Sequence, residues 1–301
     1  MKIIEIENGI KIENLEDFEP KHIFECGQCF RWNKQEDKSY IGVYNSKVLK
    51  VYKKDNDIYF MNTNKEDFEN IWAEYFDLDT DYKKLKNDLA NMDKYLKKSV
   101  EFGYGMRILK QDIYEMMISF IISARNSIPN IKKTVERICE KYGQKIEEFE
   151  GKTYYAFPSP KDLASITEEE LKECKTSFRT KYIIDTSKKI IEENIKLQEL
   201  KKLNDIKLEE QLREFAGIGP KVSNCIMLFA FYRKNAFPVD VWVKRVMEEF
   251  YLDEDMSLNK MKDYGVKLFN PYAGFAQQYL FYYARELGIG KKKIDKSNKI
   301  R

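Results

Sequence analysis

The apolar residues of this chain keep one period up to about residue 80 and another after it, and that change limits what the chain can fold into. In the first stretch they alternate. Tyr40-Ile41-Gly42-Val43-Tyr44 and Val48-Leu49-Lys50-Val51-Tyr52 are followed by an Asp55-Asn56-Asp57 turn signal and then Ile58-Tyr59-Phe60-Met61. Side chains of a strand face opposite sides in turn, so such segments joined by short polar turns predict an antiparallel sheet. From about residue 81 the spacing becomes helical: Ile113, Met116, Met117, Phe120 and Ile121, then Ile131, Val135, Ile138 and Cys139. It continues through Leu208, Leu212 and Phe215, through Val222, Ile226, Phe229 and Ala230, and through Val243, Val246, Met247 and Phe250. Ser159-Pro160-Lys161-Asp162 and Phe237-Pro238 are breaks, and a last helix begins at Pro271. The expected fold is α+β: an N-terminal antiparallel β-sheet domain (residues 1–80) followed by a helical body in two parts, residues 81–220 and 221–301, with a polar tail after Gly290.

Composition removes several chemistries. There is one histidine, His22, so a serine–histidine triad or a histidine metal cage has little to draw on. The five cysteines, Cys26, Cys29, Cys139, Cys174 and Cys225, include one C-x-x-C but no second pair at zinc spacing, and no metal or organic cofactor is expected. No apolar run approaches membrane-spanning length, and the acidic N-terminus does not read as a signal peptide, so a soluble cytoplasmic protein is expected, nucleoid-associated if bacterial. A net charge of +3 does not announce a nucleic-acid binder. Lys83-Lys84, Lys97-Lys98, Lys132-Lys133 and Lys291-Lys292-Lys293 could form a basic stripe or plain solvated surface.

Attention therefore moves to lysine and carboxylate. In Leu212-Arg213-Glu214-Phe215-Ala216-Gly217-Ile218-Gly219-Pro220-Lys221-Val222 an apolar-periodic helix ends at a Gly-Ile-Gly turn, with proline where the next helix begins. Two glycines permit a left-handed excursion and leave amides open beside a helix N-terminus, an arrangement that binds phosphate without a basic side chain. This is the helix–hairpin–helix pattern, although Gly-x-Gly can also be a simple connector. Lys221 lies in the first turn, where the helix dipole and partial burial should disfavour its charged form and make it a usable amine nucleophile. A solvated surface lysine is the alternative. Asp240 follows in Phe237-Pro238-Val239-Asp240-Val241, where it reads first as a helix N-cap; a cap also fixes a carboxylate rigidly, as catalysis requires.

The hairpin, the lysine and Pro-Val-Asp together resemble the helix–hairpin–helix DNA glycosylases. Further segments resemble the 8-oxoguanine DNA glycosylase/AP lyase branch: Gly27-Gln28-Cys29-Phe30-Arg31-Trp32, Gly105-Met106-Arg107-Ile108-Leu109-Lys110-Gln111-Asp112, Phe178-Arg179-Thr180-Lys181-Tyr182, and Pro271-Tyr272-Ala273-Gly274-Phe275-Ala276-Gln277. They span nearly the whole chain in order. The resemblance implies a monomeric enzyme that binds double-stranded DNA containing 8-oxoguanine and flips the lesion into a pocket. Lys221 would attack C1′ to form a Schiff base that permits β-elimination, with Asp240 stabilising the sugar cation.

The resemblance also distributes the binding roles. Cys225, one helical turn after Lys221, and Phe281, one turn after Gln277, would sandwich the base while Gln277 reads its edge. The carbonyl of Gly27 would accept the N7–H that 8-oxoguanine has and guanine lacks. Phe178 would fill the vacated stack, Arg179 would read the orphaned partner base, and Asn126 would enter the gap. Gly217, Gly219 and Trp242 would meet the DNA backbone. Without the resemblance, Cys225 and Phe281 read as ordinary core and Gly27 as a tight strand end. The chain departs from the family pattern at Arg125, Asn130 and Trp242, which stand where asparagine, arginine and histidine are common. Rival readings are an iron–sulfur or alkyl-base glycosylase of the same superfold, and a non-enzymatic DNA-binding hairpin module. The first would need four clustered cysteines or generally lack the hairpin lysine, and the second would need neither Lys221 nor Asp240.

Overall fold

The computed structural model describes residues 2–290; Lys291-Lys292-Lys293 and the tail lie outside the described residues. Six strands form one antiparallel sheet in the order β1-β2-β6-β5-β4-β3, with β1 Lys2–Ile6, β2 Gly9–Glu13, β3 Asn33–Lys34, β4 Tyr40–Tyr44, β5 Lys47–Lys54 and β6 Asp57–Met61. The β4–β5 turn is two residues long, and Asn45 and Ser46 both have positive φ (48° and 55°), the backbone twist that a tight hairpin needs. One sheet face supplies Ile10, Ile12, Leu49, Val51, Ile58 and Phe60 to a core shared with Phe18, Phe24, Trp32, Trp72 and Phe76.

The strand-like region is not all strand. Pro20–Phe24 is a short helix, and residues 65–75 are continuously helical. A second sheet, β7 Lys145–Phe149 with β8 Lys152–Tyr155, interrupts the helical body, and Tyr154 packs on Ile41, Val43 and Val48 on the outer face of the large sheet. The β7 and β8 segments are short and charged, so no period is expressed in them, whereas Phe68, Ile71, Trp72 and Tyr75 stand at helical spacing inside the stretch read as sheet and pack on its core.

The helical body has one apolar core running from Tyr82 to Ala284. Its centre is the Ile113–Ser123 helix, buried on nearly every side and capped by Asp112, whose carboxylate accepts the amide of Glu115 at 2.8 Å. Around it lie the helices Ile128–Tyr142, Thr180–Glu192, Asp205–Arg213, Pro220–Phe229, Val241–Phe250 and Ala273–Leu287. Residues 23–32 run between the two cores: Cys26 and Phe30 belong to the helical one, Ile23, Phe24, Cys29 and Trp32 to that of the sheet. Among the described residues no helix is long and apolar enough to cross a membrane.

Candidate active site

The hairpin is built by neighbours in sequence. Asn204 caps the Asp205–Arg213 helix by accepting the amide of Lys207 at 3.0 Å, and the turn closes with Phe215 N to Leu212 O at 3.2 Å and Ile218 N to Phe215 O at 3.1 Å. Gly217 has φ +81°, and a Cβ there would lie 2.9 Å from the Tyr182 side chain, so the fold itself demands glycine. Gly219 differs: its φ is −91° and an added Cβ would meet nothing within 4 Å. Pro220 opens the next helix, whose first amides have no intrahelical partner. Lys221 is half-buried there, with Nζ 5.5 Å from the Phe120 ring centroid.

Asp240 is an N-cap, as its sequence setting predicts. Its Oδ1 accepts the amides of Trp242 at 2.9 Å and Val243 at 2.8 Å, which leaves Oδ2 to the cavity it lines with Lys221. Burial pushes this carboxyl above the ordinary aspartate range, against the opposing pull of the two amides and of Lys221. Buried Asn224 joins the two halves of the pair. It donates to Pro220 O at 2.9 Å and to Glu209 at 3.1 Å, and accepts the amide of Phe237 at 3.2 Å, so one side chain ties the lysine helix to the segment that delivers Asp240.

The cavity is small, about 50 Å³. Lys221 and Cys225, one turn apart on their helix, line it together with Asp240, Gly27, Gln277 and Phe281. Burial raises the Cys225 thiol pKa, with Lys221 pulling the other way. Gln277 is 3% exposed, and its Oε1 is buried without a partner, an unspent acceptor on the cavity edge. Gly27 has φ +89°, and a Cβ would press on Arg285, Ile128 and Phe281 at 3.0–3.4 Å.

The quoted sequence segments explain how Gly27 is held. Gln28 accepts the amide of Leu109 at 2.9 Å and donates to Arg107 O at 2.7 Å and Ile23 O at 2.9 Å, while Gln111 donates to Gln28 O at 2.9 Å. From the Ala273–Leu287 helix, Gln278 donates to Cys26 O at 3.0 Å and Arg285 to Glu25 O at 2.6 Å. Sequence reasoning assigned no role to Gln28, Asn224, Gln278 or Arg285; position within a matched segment flagged Gln28 alone.

The residues assigned to the DNA-facing side fall outside the cavity. Phe178 is 54% exposed beside the Arg179 guanidinium. Arg179 is 5% exposed, its guanidinium engaged with the carbonyls of Ala124 and Arg125, so in this state it organises the 124–127 loop and is not presented to solvent. Asn126 accepts the amide of Ser127 at 3.0 Å and donates to Ile122 O at 3.2 Å. Trp242 lies under Arg245, with the guanidinium carbon 4.9 Å from its ring. Arg125 and Asn130 are exposed, and Arg125 has φ +51°.

The N-terminal domain of 8-oxoguanine DNA glycosylases matches residues 11–117, and the HhH-GPD superfamily of base excision DNA repair proteins matches residues 118–271. The chain belongs to the 8-oxoguanine DNA glycosylase family. Within it, the 8-oxoguanine glycosylase/lyase of Clostridium acetobutylicum, solved with duplex DNA carrying cytosine opposite 8-oxoguanine, is 49% identical, with a TM-score of 0.93 over 96% of this chain and 99% of that one. The N-glycosylase/DNA lyase of Saccharomyces cerevisiae is 31% identical over 79% of this chain and 69% of its own length. A DNA-3-methyladenine glycosylase of Bacillus subtilis is more distant, 26% identical over 58% of each chain.

Proposed function

We propose that the protein excises 8-oxoguanine from duplex DNA and then cuts the abasic strand, with Lys221 as nucleophile and Asp240 as its electrostatic partner. The observation that carries this reading is their convergence on one cavity beside a glycine hairpin, although they are nineteen residues apart in sequence. The hairpin amides around Gly217 and Gly219, with Trp242, hold the backbone, Phe178 fills the vacated stack, and Asn126 stands at the partner base on the loop that Arg179 braces. The flipped base lies between Cys225 and Phe281, and Gln277 reads its edge. The Gly27 carbonyl accepts N7–H from the lesion and opposes the lone pair of guanine.

The chemistry follows from the two groups. The free amine of Lys221 adds to C1′ as the C1′–N9 bond breaks, and the base leaves with that electron pair and gains a proton. Positive charge grows on the sugar meanwhile, and ionised Asp240, held in place by its cap bonds, stabilises it without reorganising. Loss of the amine's proton and opening of the sugar ring give the Schiff base. Removal of a 2′ proton then expels the 3′ phosphate, and water releases the lysine. The partner is duplex DNA, met by the protein as a monomer in the compartment that holds it.

Borohydride trapping on a duplex containing 8-oxoguanine tests the assignment. The unaltered protein should form a covalent adduct, while Lys221→Gln should form none, cut no strand and still bind the lesion duplex. Full trapping by Lys221→Gln removes the lysine from the mechanism.

A further inference from the structure

The turn that presents Gly27 is gripped by the same helix that carries the base contacts. Gln277 and Phe281 face the cavity from Ala273–Leu287. Gln278, 2% exposed, takes the carbonyl of Cys26, and Arg285 takes that of Glu25. Two successive carbonyls before Gly27 are thereby consumed, and among the described residues no donor meets the Gly27 carbonyl itself. Arg285 lies one turn beyond Phe281, its guanidinium carbon 5.3 Å from that ring, and Glu286 holds Nε and Nη2 at 3.0 and 2.8 Å. Its Nη1 is buried without a partner, 3.0 Å from where a Gly27 Cβ would stand. One guanidinium thus touches both jaws of the slot, the carbonyl turn and the stacking ring.

We propose that Arg285, with Gln278, is a specificity-determining positioning residue that sets the distance between the Gly27 carbonyl and the Gln277–Phe281 face. The reasoning rests on the reading of the pocket given under Proposed function. Lesion and guanine differ at that carbonyl by an N–H against a lone pair, and both the attraction and the repulsion fall steeply with distance and angle. A carbonyl free to drift loses its hold on the lesion and its penalty against guanine together. A carbonyl tethered to the stacking helix keeps both, because any base that seats against Phe281 is presented at a fixed height.

The test compares two reactions of the full chain: single-turnover excision from an 8-oxoguanine duplex, and cleavage of a duplex with a preformed natural abasic site, which has no base to read. Binding to the lesion duplex and to its guanine counterpart is measured alongside. Arg285→Met should lower the ratio of excision to abasic cleavage tenfold or more and narrow the lesion-over-guanine binding ratio similarly, and Gln278→Leu should shift both in the same direction. The guanidinium also stands in the field of Asp240, so Arg285→Lys, which keeps the charge and lacks the planar contact with Phe281, should fall between, with a loss of about threefold. If Arg285→Met does not fold, Arg285→Lys decides alone. An unchanged ratio, or an equal fall in both reactions that Arg285→Lys does not relieve, overturns the proposal. An unaltered protein that cleaves neither duplex overturns the functional reading beneath it.

Discussion

Two turns meet at the cavity, and they are specified in opposite ways. The Phe215–Pro220 hairpin is written in consecutive residues: a left-handed glycine, a proline at the helix start and backbone bonds three residues apart. The Glu25–Gln28 turn also has a left-handed glycine, but its conformation is held by Leu109, Arg107 and Gln111 on one side and by Gln278 and Arg285 on the other, up to 260 residues away. In the function proposed above, the first turn serves the chemistry and the second the choice of base. On that reading, locally written structure suffices to grip a backbone that is the same everywhere. Choosing between bases that present N–H or a lone pair at one position, as proposed for this turn, takes a fixed distance between remote parts of the chain.

The largest test lies on the hairpin side. Asp240→Asn keeps an acceptor for the Trp242 and Val243 amides and removes only the charge, so single-turnover excision should fall by about 10²–10³, the scale of one lost electrostatic stabiliser. A rate unchanged by the substitution would reduce Asp240 to a helix cap. Because burial raises the Asp240 pKa, the unaltered protein should lose activity on acidification at a higher pH than an ordinary aspartate would dictate, and Asp240→Asn should lack that limb. The same shift has a cost to the fold. A carboxyl whose folded pKa exceeds its unfolded one binds its proton more tightly when folded, so its contribution is present below the unfolded pKa and lost as pH rises through the folded value. Asp240→Asn should therefore melt no lower than the unaltered protein at neutral pH.

A pair of glycine substitutions separates the turns directly. Gly27→Ala forces a left-handed Cβ against Arg285 and Ile128, which should cost about 1–3 kcal/mol and show as lost 8-oxoguanine excision with most abasic-site cleavage kept. Gly219→Ala meets no neighbour, so the fold should stand while lesion and undamaged duplexes both bind more weakly, by about 1 kcal/mol, the value of one hydrogen bond. Reversed phenotypes would break the division of labour. Phe281→Ala should weaken lesion binding by roughly 1–3 kcal/mol, the scale of a base–aromatic stack, and equal weakening on undamaged DNA would move Phe281 out of the reader.

Smallest is the effect at a position on neither turn. Asn130 is exposed and neutral at a position where the family resemblance implies arginine, and Arg179 is already committed to the 124–125 carbonyls. Preference for cytosine opposite the lesion should be modest, and Asn130→Arg should sharpen it about tenfold when excision is measured opposite each of the four bases. A parent already stringent for cytosine, and unmoved by the change, would contradict this.

The same local–remote divide governs what the sequence disclosed. The period change near residue 80, the Gly-Ile-Gly-Pro-Lys turn and the Pro-Val-Asp cap could be read because each is a relation among near neighbours. The β7–β8 hairpin could not, since Lys145-Ile146-Glu147-Glu148-Phe149 alternates poorly and takes its place from the sheet face beneath Tyr154. Asn224 and Gln278 look like polar residues on apolar helices, and only their remote partners, the Glu209 carboxylate and Phe237 amide for one and the Cys26 carbonyl for the other, reveal why burial is tolerated there. Arg179 was assigned a role at DNA from its segment alone, but its grip on the 124–125 loop depends on contacts 54 and 55 residues away.

Residues 23–32 thread both cores, with Cys26 and Phe30 in one and Cys29 and Trp32 in the other, and Gly27 lies on that thread. Strand and helix regions so riveted cannot open one without the other, because pulling Trp32 from the sheet drags the Gly27 carbonyl out of register with Gln277. Slow amide exchange in β4 and β5 therefore becomes a remote gauge of the pocket. On the proposed reading, a base seated between Cys225 and Phe281 would be felt as protection in the strands on the far side of that thread.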